Sequence, residues 1–211
     1  MSEVFVVRRA EFSIETPWAL PPEAELVRLR RATDGAPPRL ATAVVLYFDN
    51  DFLTAVFSGS DDRIVATHLE HDAPLYEEDV VELFLAPHPP AEYFEVEVNP
   101  LGTVFDARID SPDGIRATMQ ADRGWDCPGL FAAVCSRKES SGAISFDVVV
   151  RIPFTSLAVP MPQSGETWKA NFFRIDRHPA QGDEYSAWQP TMKNPADFHV
   201  TAAFGTLRFE G

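Results

Sequence analysis

The amino-acid sequence predicts an all-β protein, an antiparallel, jelly-roll-like β-sandwich with at most one or two short helical turns. Apolar residues alternate with a period of two along most segments, which is typical of strands rather than helices. The 18 prolines fall mainly between these segments, where a missing N–H breaks no ladder hydrogen bond. Many short strands with turns between them favour a sandwich. At 211 residues, the sequence is expected to form one domain over residues 1–211.

Eight segments are predicted to be strands. Residues 41–48 and 52–58 are joined by Asp49–Asp51, because Asn and Asp tolerate the left-handed backbone angles of a hairpin turn. Residues 79–86 form a nearly continuous apolar run, as expected for a strand buried on both faces. The other predicted strands are residues 93–99, 103–109, 144–152, 168–175 and 204–209. One helical turn is expected at residues 153–157.

Two acidic residues share one face of the strand at residues 93–99. Glu95 and Glu97 alternate with apolar residues, so their Cβ atoms should lie about 7 Å apart along the strand. A retaining glycosidase needs two carboxyls about 5–5.5 Å apart. Side chains at i and i+2 point parallel, however, and alternating acids are typical of a strand that faces solvent. We therefore predict a solvated face here rather than a catalytic pair.

The charge balance excludes several classes of partner. Eighteen Lys and Arg against 32 Asp and Glu give a net charge of −14, which repels nucleic acid and anionic lipid. No run of about 18 apolar residues suggests a membrane span. No secretory signal peptide is visible, so we expect a cytoplasmic protein, or an extracellular one if a leader is missing from this sequence. The oligomeric state does not follow from the strand pattern.

Motifs for enzymes and cofactors are absent from the sequence. There is no nucleophile elbow, phosphate loop or dinucleotide fingerprint. Cys127 and Cys135 do not form a disulfide framework. On a strand, His68 and His71 would face opposite ways, so a solvated loop is favoured over a metal site.

No cofactor is expected, with a structural Ca²⁺ as the alternative. The acidic loops at Asp49–Asp51 and Asp61–Asp62 offer the hard oxygen ligands that calcium prefers. They lack the glycine-centred twelve-residue loop of an EF-hand. The metal content therefore stays open.

Three ordered groups of segments carry a family resemblance. They are Leu75-Tyr76-Glu77-Glu78-Asp79-Val80-Val81-Glu82-Leu83-Phe84-Leu85, then residues 93–103 (YFEVEVNPLGT), then residues 171–176 (NFFRID) followed by Trp188-Gln189-Pro190 and residues 198–205. Together they resemble the family 9 carbohydrate-binding modules, which lie within the wider group of DOMON-like domains. The resemblance covers roughly residues 41–209. It implies a sandwich that binds a mono- or oligosaccharide without transforming it, with two aromatic rings clamping a terminal sugar.

The resemblance also implies site residues. Tyr76 occupies the position of a clamping tryptophan in the family, and Glu82, six residues on, matches an acidic acceptor for sugar hydroxyls. Arg174 lies near a polar ligand-contacting position. The second clamping ring is Trp188 or Phe198, and the spacing to the closing Phe-Gly pair slightly favours Phe198. These residue types suit a pyranose, because rings desolvate its C–H face while charged groups pair with its hydroxyls.

Other interpretations stay open at this point. Trp188 fits a core position as well as a loop-borne site, whereas Trp125 and Trp168 are expected to be core residues. Related DOMON-like domains bind haem, for which the available axial ligands would be Met119, Lys169, Met192 and Lys193. A glycoside hydrolase is the remaining alternative.

Overall fold

The computed structural model describes residues 3–88 and 91–211. It confirms the all-β prediction, since its regular structure consists of strands and two short 3₁₀ turns, Leu75–Glu77 and Thr201–Ala203, in the part described. The strands are β1 (Val4–Arg9), β2 (Leu26–Arg28), β3 (Arg30–Arg31), β4 (Thr42–Phe48), β5 (Phe52–Asp61), β6 (Val80–Ala86), β7 (Glu92–Val98), β8 (Val104–Asp110), β9 (Gln120–Asp122), β10 (Phe131–Lys138), β11 (Ile144–Pro153), β12 (Thr167–Asp176), β13 (Glu184–Ala187) and β14 (Gly205–Glu210).

The strands form one curled sheet whose two halves pack on each other. The main path runs β10-β11-β5-β4-β1-β14-β12-β6-β7-β8-β9, and β13 pairs with β12 off this path. All pairs are antiparallel except those of β1, which runs parallel to both β4 and β14. The prediction of a purely antiparallel sandwich is corrected in this respect, because strand periodicity carries no information about the direction of a neighbour.

The eight predicted strands correspond to β4, β5, β6, β7, β8, β11, β12 and β14 with small shifts at their ends. The predicted Asp49–Asp51 hairpin is present, and the Asp49 carboxylate accepts hydrogen bonds from the Asp51 and Phe52 amides at 2.9 Å. Of the helical turn predicted at residues 153–157, Pro153 ends β11 and the rest belongs to hydrogen-bonded turns over residues 154–158 instead of a helix. Strands β1, β2, β3, β9, β10 and β13 were not predicted, since they are short or polar, or lack clean alternation.

The large apolar cluster between the two halves is the sandwich core. It includes Phe5, Phe57, Phe172 and Leu207, all completely buried. Trp168 is a core residue as predicted, and Trp125 packs against the core from its margin. In residues 3–88 and 91–211, no helix is long and apolar enough to cross a membrane.

A second apolar cluster lies on the outer face of β12-β6-β7-β8. Its members include Phe84, Tyr93, Phe105 and Phe173, which project away from the sandwich core. Side chains alternate between the two faces of each strand, so Val81 and Leu83 enter the core while Val80 and Phe84 join the outer cluster. This outer face is covered by loops rather than open to solvent, and it carries the candidate site.

Candidate functional site

A cleft of ≈ 740 Å³ lies on the outer face of β12-β6-β7-β8. Its lining comes from the strands, from the 3₁₀ turn at Leu75–Glu77, from residues 116–123 and from the loop at residues 193–199. The cleft brings together three kinds of side chain. Its carboxylates are Glu82, Glu95, Glu97 and Asp197, its rings include Tyr76, Phe105, Tyr185 and Phe198, and its cations are Arg116, Arg123, Arg177 and Lys193.

Three glutamates form what we call the carboxylate floor: Glu82, Glu95 and Glu97. Strand register places Glu82 of β6 directly opposite Glu97 of β7, with Glu95 two residues away on the same face. Their exposed fractions are 2%, 6% and 0%. Glu82 Oε1 is buried without a hydrogen-bond partner in the part of the chain described, and the only group near enough to share a proton with the Glu97 carboxyl there is the Glu95 carboxyl. Like charges directly opposite one another in a sheet are unfavourable, so this arrangement costs stability.

The protonation of the carboxylate floor follows from its burial. Desolvation raises the pKa of Glu95 to about 7. Burial, and then the charges of neighbouring glutamates, raises the pKa values of Glu82 and Glu97 well above their ordinary range. Near neutral pH the floor therefore retains protons that exposed glutamates would have lost.

The rings of the cleft offer apolar surface beside these carboxyls. Phe198 stacks on Phe173 with centroids 4.1 Å apart and an interplanar angle of 13°. Tyr76 is half-buried and meets Phe105 edge to face at 6.4 Å. Phe198 also contacts Tyr185, at a centroid distance of 6.0 Å. Fixed rings of this kind present a preformed apolar wall to a ligand.

Arginines hold the loops of the cleft in place. Arg177 donates hydrogen bonds to the Tyr76 carbonyl oxygen, to the Asp183 carboxylate at 2.5 Å and to Tyr185 Oη at 2.7 Å. Arg116 pairs with Asp197 at 2.9 Å. These contacts fix the position of the Tyr76 turn and tie residue 116 to the loop at residues 193–199.

A neutral histidine completes the buried wall. His199 Nδ1 lies 2.7 Å from Tyr93 Oη, and its Nε2 lies 4.0 Å from Glu95 Oε1. Burial, followed by the nearby charge of Arg116, lowers the pKa of His199 to about 4. His199 is therefore an uncharged hydrogen-bonding group at neutral pH.

The cleft contains three of the five residues singled out from the sequence, namely Tyr76, Glu82 and Phe198. Glu95 and Glu97 join them there. The expectation that these two acids face solvent is wrong, because loops cover the outer face of β7. The sequence places them correctly on one face, but the cover comes from residues distant in sequence.

Arg174 does not lie in the cleft. It is on the opposite face of β12 from Phe173 and Ile175, and it is 3% exposed. There it donates to the Asp61 carboxylate at 2.9 Å and to the Thr42 hydroxyl at 3.0 Å. Side chains alternate between the two faces along β12, and Arg177, directly after this strand, is on the same side as Phe173 and Ile175. Arg177 is therefore the arginine that lines the cleft.

Trp188 does not lie in the cleft either. It is 2% exposed in the sandwich core, stacked on Phe172 at 5.4 Å. The alternation of side chains again determines the face: Tyr185 and Ala187 of β13 face the outer cluster, whereas Trp188, the next residue, faces inward. Of the two candidates for the second ring, the structure brings only Phe198 to the cleft.

The acidic loops considered for calcium have other partners. Asp49 pairs with Arg151, and Asp61 with Arg174. Both carboxylates also accept backbone hydrogen bonds. Cys127 and Cys135 are both free thiols.

The residues considered for haem do not all lie together. Met119 and Lys193 line the cleft, whereas Met192 is 63% exposed and Lys169 donates a hydrogen bond to Thr206. Met119 Sδ lies 3.5 Å from Tyr93 Oη.

Fixed rings and a few convergent polar groups in one cleft of a β-sandwich make the kind of site that binds a small ligand. Residues 41–209 match the model of carbohydrate-binding family 9. The match covers most of the chain, and the chain belongs to this family. No curated protein sequence matches it significantly.

Solved structures share the fold at low sequence identity. A protein from Bacteroides uniformis ATCC 8492, for which carbohydrate binding has been proposed, is similar with a TM-score of 0.76 and 17% identity over 100% of both chains. A family 9 module from Caldicellulosiruptor kristjanssonii in complex with glucose has a TM-score of 0.66 and 14% identity, over 99% of this chain and 96% of the module. The same module in complex with cellotriose gives the same score and identity, over 99% and 94%.

Proposed function

We propose that this protein binds a carbohydrate in the cleft and does not transform it. The observation that carries the proposal is that Tyr76 and Glu82 line one cleft together with Phe198, which is distant from both in sequence. Tyr76 and Phe198 supply apolar faces for the C–H surface of a sugar ring. Glu82, with Glu95 and Glu97, offers carboxyl oxygens that accept hydrogen bonds from hydroxyl groups, and a protonated carboxyl can also donate one.

The cationic groups of the cleft act as donors in this proposal. Arg123 and Lys193 are exposed at its margin, where they can donate to ring or hydroxyl oxygens. Arg177 already donates three hydrogen bonds to protein groups, so its main role is to position Tyr76 and Tyr185. A tyrosine at position 76 covers less of a sugar ring than a tryptophan would, which favours weaker binding than in modules with two tryptophans.

The relatives indicate which sugars to test first. The Caldicellulosiruptor module was solved with glucose and with cellotriose, so gluco-configured mono- and oligosaccharides are the first candidates for this cleft. Membership of a family of non-catalytic binding modules argues against an enzyme. A role in carbohydrate breakdown would then require a partner enzyme.

The test is calorimetric titration with glucose, cellotriose and the reduced alditol of cellotriose. We expect saturable binding of at least one sugar, weakened by about 2 kcal/mol or more in Tyr76→Ala, the range for an aromatic anchor. Tyr76→Phe should retain most of the affinity because the ring remains. Phe12→Ala is the matched control, since Phe12 packs on Phe131 outside the cleft.

Two results would contradict the proposal. Equal sugar affinity in Tyr76→Ala and in the unchanged protein would remove Tyr76 from the site. Release of reducing sugar from an oligosaccharide, abolished by Glu95→Gln, would show a glycoside hydrolase instead of a binding module.

A further inference from the structure

Three groups of side chains in the described residues bring carboxylate or imidazole atoms within 4.8 Å of one another. Two of these groups already have a role. The carboxylate floor belongs to the cleft, and Arg174 neutralises a group of aspartates, with contacts of 2.9 Å to Asp61 and 3.5 Å to Asp176. The third group, which we call the His71 group, consists of His71, Asp72 and Asp106.

Asp106 is the buried member of the His71 group. Side chains alternate along β8, so Asp106 projects to the opposite side from Phe105 and Ala107, which belong to the outer cluster. Its neighbour across the strands is Val96 of β7, a completely buried residue of the sandwich core. The His71 group therefore meets the sheet on the face opposite to the cleft.

The carboxylate of Asp106 has an unused oxygen. Its side chain is 1% exposed, and Oδ2 accepts a hydrogen bond from the Cys127 backbone amide at 3.3 Å. Oδ1 is buried and has no hydrogen-bond partner among the described residues. Within these residues, the ion-pair partner of Asp72 and Asp106 is His71 rather than a lysine or arginine. A buried carboxylate without such a partner is unfavourable, so the site lacks a cation.

The distances within the His71 group suit a metal ion. His71 Nε2 lies 3.8 Å from Asp106 Oδ2. Zinc lies about 2.0–2.2 Å from an imidazole nitrogen or a carboxylate oxygen, so two such atoms on one ion are at most about 4.3 Å apart. The other ring nitrogen, Nδ1, lies 3.0 Å from Asp72 Oδ1. A carboxylate commonly holds the second ring nitrogen of a metal-binding histidine in this way.

We propose that the His71 group binds a divalent transition-metal ion of the zinc class. His71 Nε2 and the Asp106 carboxylate contact the ion, and Asp72 fixes the orientation of the imidazole. An imidazole ligand favours zinc over calcium and magnesium, which prefer oxygen ligands. The His71 side chain is 52% exposed, so the ion enters from solvent and water completes its coordination.

The ion would connect two segments that are distant in sequence. Asp72 lies in the loop between β5 and β6, and Asp106 lies 34 residues further on in β8. The two segments already touch, since the Asp72 amide donates to the Val104 carbonyl oxygen at 3.1 Å. The sequence favours a solvated loop for His68 and His71, because it does not show that Asp106 lies beside them. A ligand that binds only the folded state stabilises it, so the ion should stabilise the protein.

The test uses the untagged protein without any sugar, so its result does not depend on the proposed function. Protein treated with EDTA and then freed of it is titrated with ZnCl₂ by calorimetry near neutral pH, and separately with CaCl₂. We expect one Zn²⁺ per chain, and no competition from Ca²⁺ at equal concentration. Zn²⁺ should also raise the urea concentration at which the protein unfolds.

Variants locate the ion. His71→Ala should weaken Zn²⁺ binding by about tenfold or more, because it removes a ligand. Asp72→Asn should also weaken it, since partners that orient a ligand typically contribute about 10- to 100-fold in metal affinity. Both side chains are partly exposed, so both variants should fold, which circular dichroism checks.

His178→Ala is the matched control, because it removes another histidine that lies beside an aspartate. His178 Nε2 is 3.6 Å from Asp62 Oδ1, but Nδ1 already accepts hydrogen bonds from the amides of Ala180 and Gln181. That variant should bind Zn²⁺ with unchanged affinity.

Three outcomes would overturn the proposal. The first is the absence of saturable Zn²⁺ binding at submillimolar concentration. The second is equal Zn²⁺ affinity in His71→Ala and in the unchanged protein, which would place the ion elsewhere. The third is equal affinity for Ca²⁺ and Zn²⁺, which would indicate a site made of oxygen ligands alone.

Discussion

At the scale of single residues, Glu97 is a polar binding-site residue whose burial lowers the stability of the fold. Its carboxyl is completely buried and lies opposite Glu82 across two strands. An apolar residue would pack better there, as Phe84 does on the same face of β6. Positions that break the rules of packing in this way are typically positions that serve function.

Glu97→Gln should stabilise the fold. At pH 8 the buried Glu97 must either hold a proton or carry a charge without solvent, whereas glutamine needs neither, and the new amide can donate to Glu82 or Glu95. We expect the free energy of unfolding at pH 8 to rise by about 1 kcal/mol or more, with little change at pH 5. Urea denaturation of both proteins with EDTA present gives the measurement, and exposed Glu15→Gln is the control.

The sign of this pH dependence follows from the direction of the pKa shifts. Glu95 has a pKa raised from 4.5 to about 7, so the folded state binds a proton more tightly than the unfolded chain. Stability from this group is full below about pH 4.5 and is lost as the pH rises through 7. Asp79 and Asp106, with pKa values raised to about 6 by burial, act in the same direction.

His199 acts in the opposite direction. Its pKa is lowered to about 4, so stability from this group grows as the pH rises from about 4 to 6.5. Asp79 and Asp106 contribute equally to the free energy of unfolding of Glu97→Gln and of the unchanged protein, and His199 contributes nearly equally. These contributions therefore cancel when the two free energies are subtracted at each pH. If this difference in the free energy of unfolding were the same at pH 5 and at pH 8, the raised pKa values of the carboxylate floor would be wrong.

At the scale of elements, the sequence predicts where strands run better than which face is functional. The strands predicted at residues 79–86, 93–99 and 168–175 correspond to β6, β7 and β12 to within one residue at each end. Alternation also separated Glu95 and Glu97 from the core face of β7. It could not show that loops from residues 193–199 and 116–123 cover the other face, since that depends on contacts distant in sequence.

The same limit explains Arg174 and Trp188. A shift of one residue along a strand moves a side chain to the other face. Arg174 therefore enters the interior although its neighbours Phe173 and Ile175 face the outer cluster. Trp188 follows Ala187 with the same result. The resemblance pointed to β12 and to the residue after β13, whereas the face of each side chain required the structure.

The start of β14 depends on the inward position of Trp188. A Cβ atom at Gly205 would lie 2.3 Å from Trp188 Cη2, and that ring is held by Phe172 and Phe5. Gly205→Ala should therefore destabilise the protein by about 1–3 kcal/mol, the cost of overpacking a core. Thermal or urea unfolding measures this. Gly124→Ala is the control, because its nearest neighbouring atom lies 3.6 Å away.

If Gly205→Ala unfolded at the same urea concentration as the unchanged protein, Gly205 and Trp188 would not be packed as closely as described. Trp188 would then be free to move, and its assignment to the core would have to be reconsidered. Sugar titration of the same variant distinguishes a core role from a binding role, since a core residue changes stability more than affinity.

At the scale of the whole molecule, β1 joins the two halves of the sheet. It lies between β4 and β14 and is parallel to both, with its register to β14 running from Val4↔Thr206 to Arg8↔Glu210. Without it, the main path separates into β10-β11-β5-β4 and β14-β12-β6-β7-β8-β9. The sequence did not predict this strand, because its role depends on a neighbour about 200 residues away.

The central position of β1 leads to a prediction about the whole fold. Removal of residues 1–9 would expose the edge of β14 and the end of β4, and it would take Phe5 and Val7 out of the core, where both are completely buried. Open strand edges pair with other chains. We expect the shortened protein to unfold at a lower urea concentration and to self-associate in size-exclusion chromatography.

Phe5→Ala separates the two contributions of β1, because it keeps the backbone pairing and removes only the ring. It should cost about 3–5 kcal/mol, as for other buried phenylalanines, without producing self-association. Phe12→Ala, at a half-buried ring just beyond β1, should cost less. If the shortened protein unfolded at the same urea concentration and stayed monodisperse, β1 would not contribute to stability. The two halves of the sheet would then be held together by the other core residues alone.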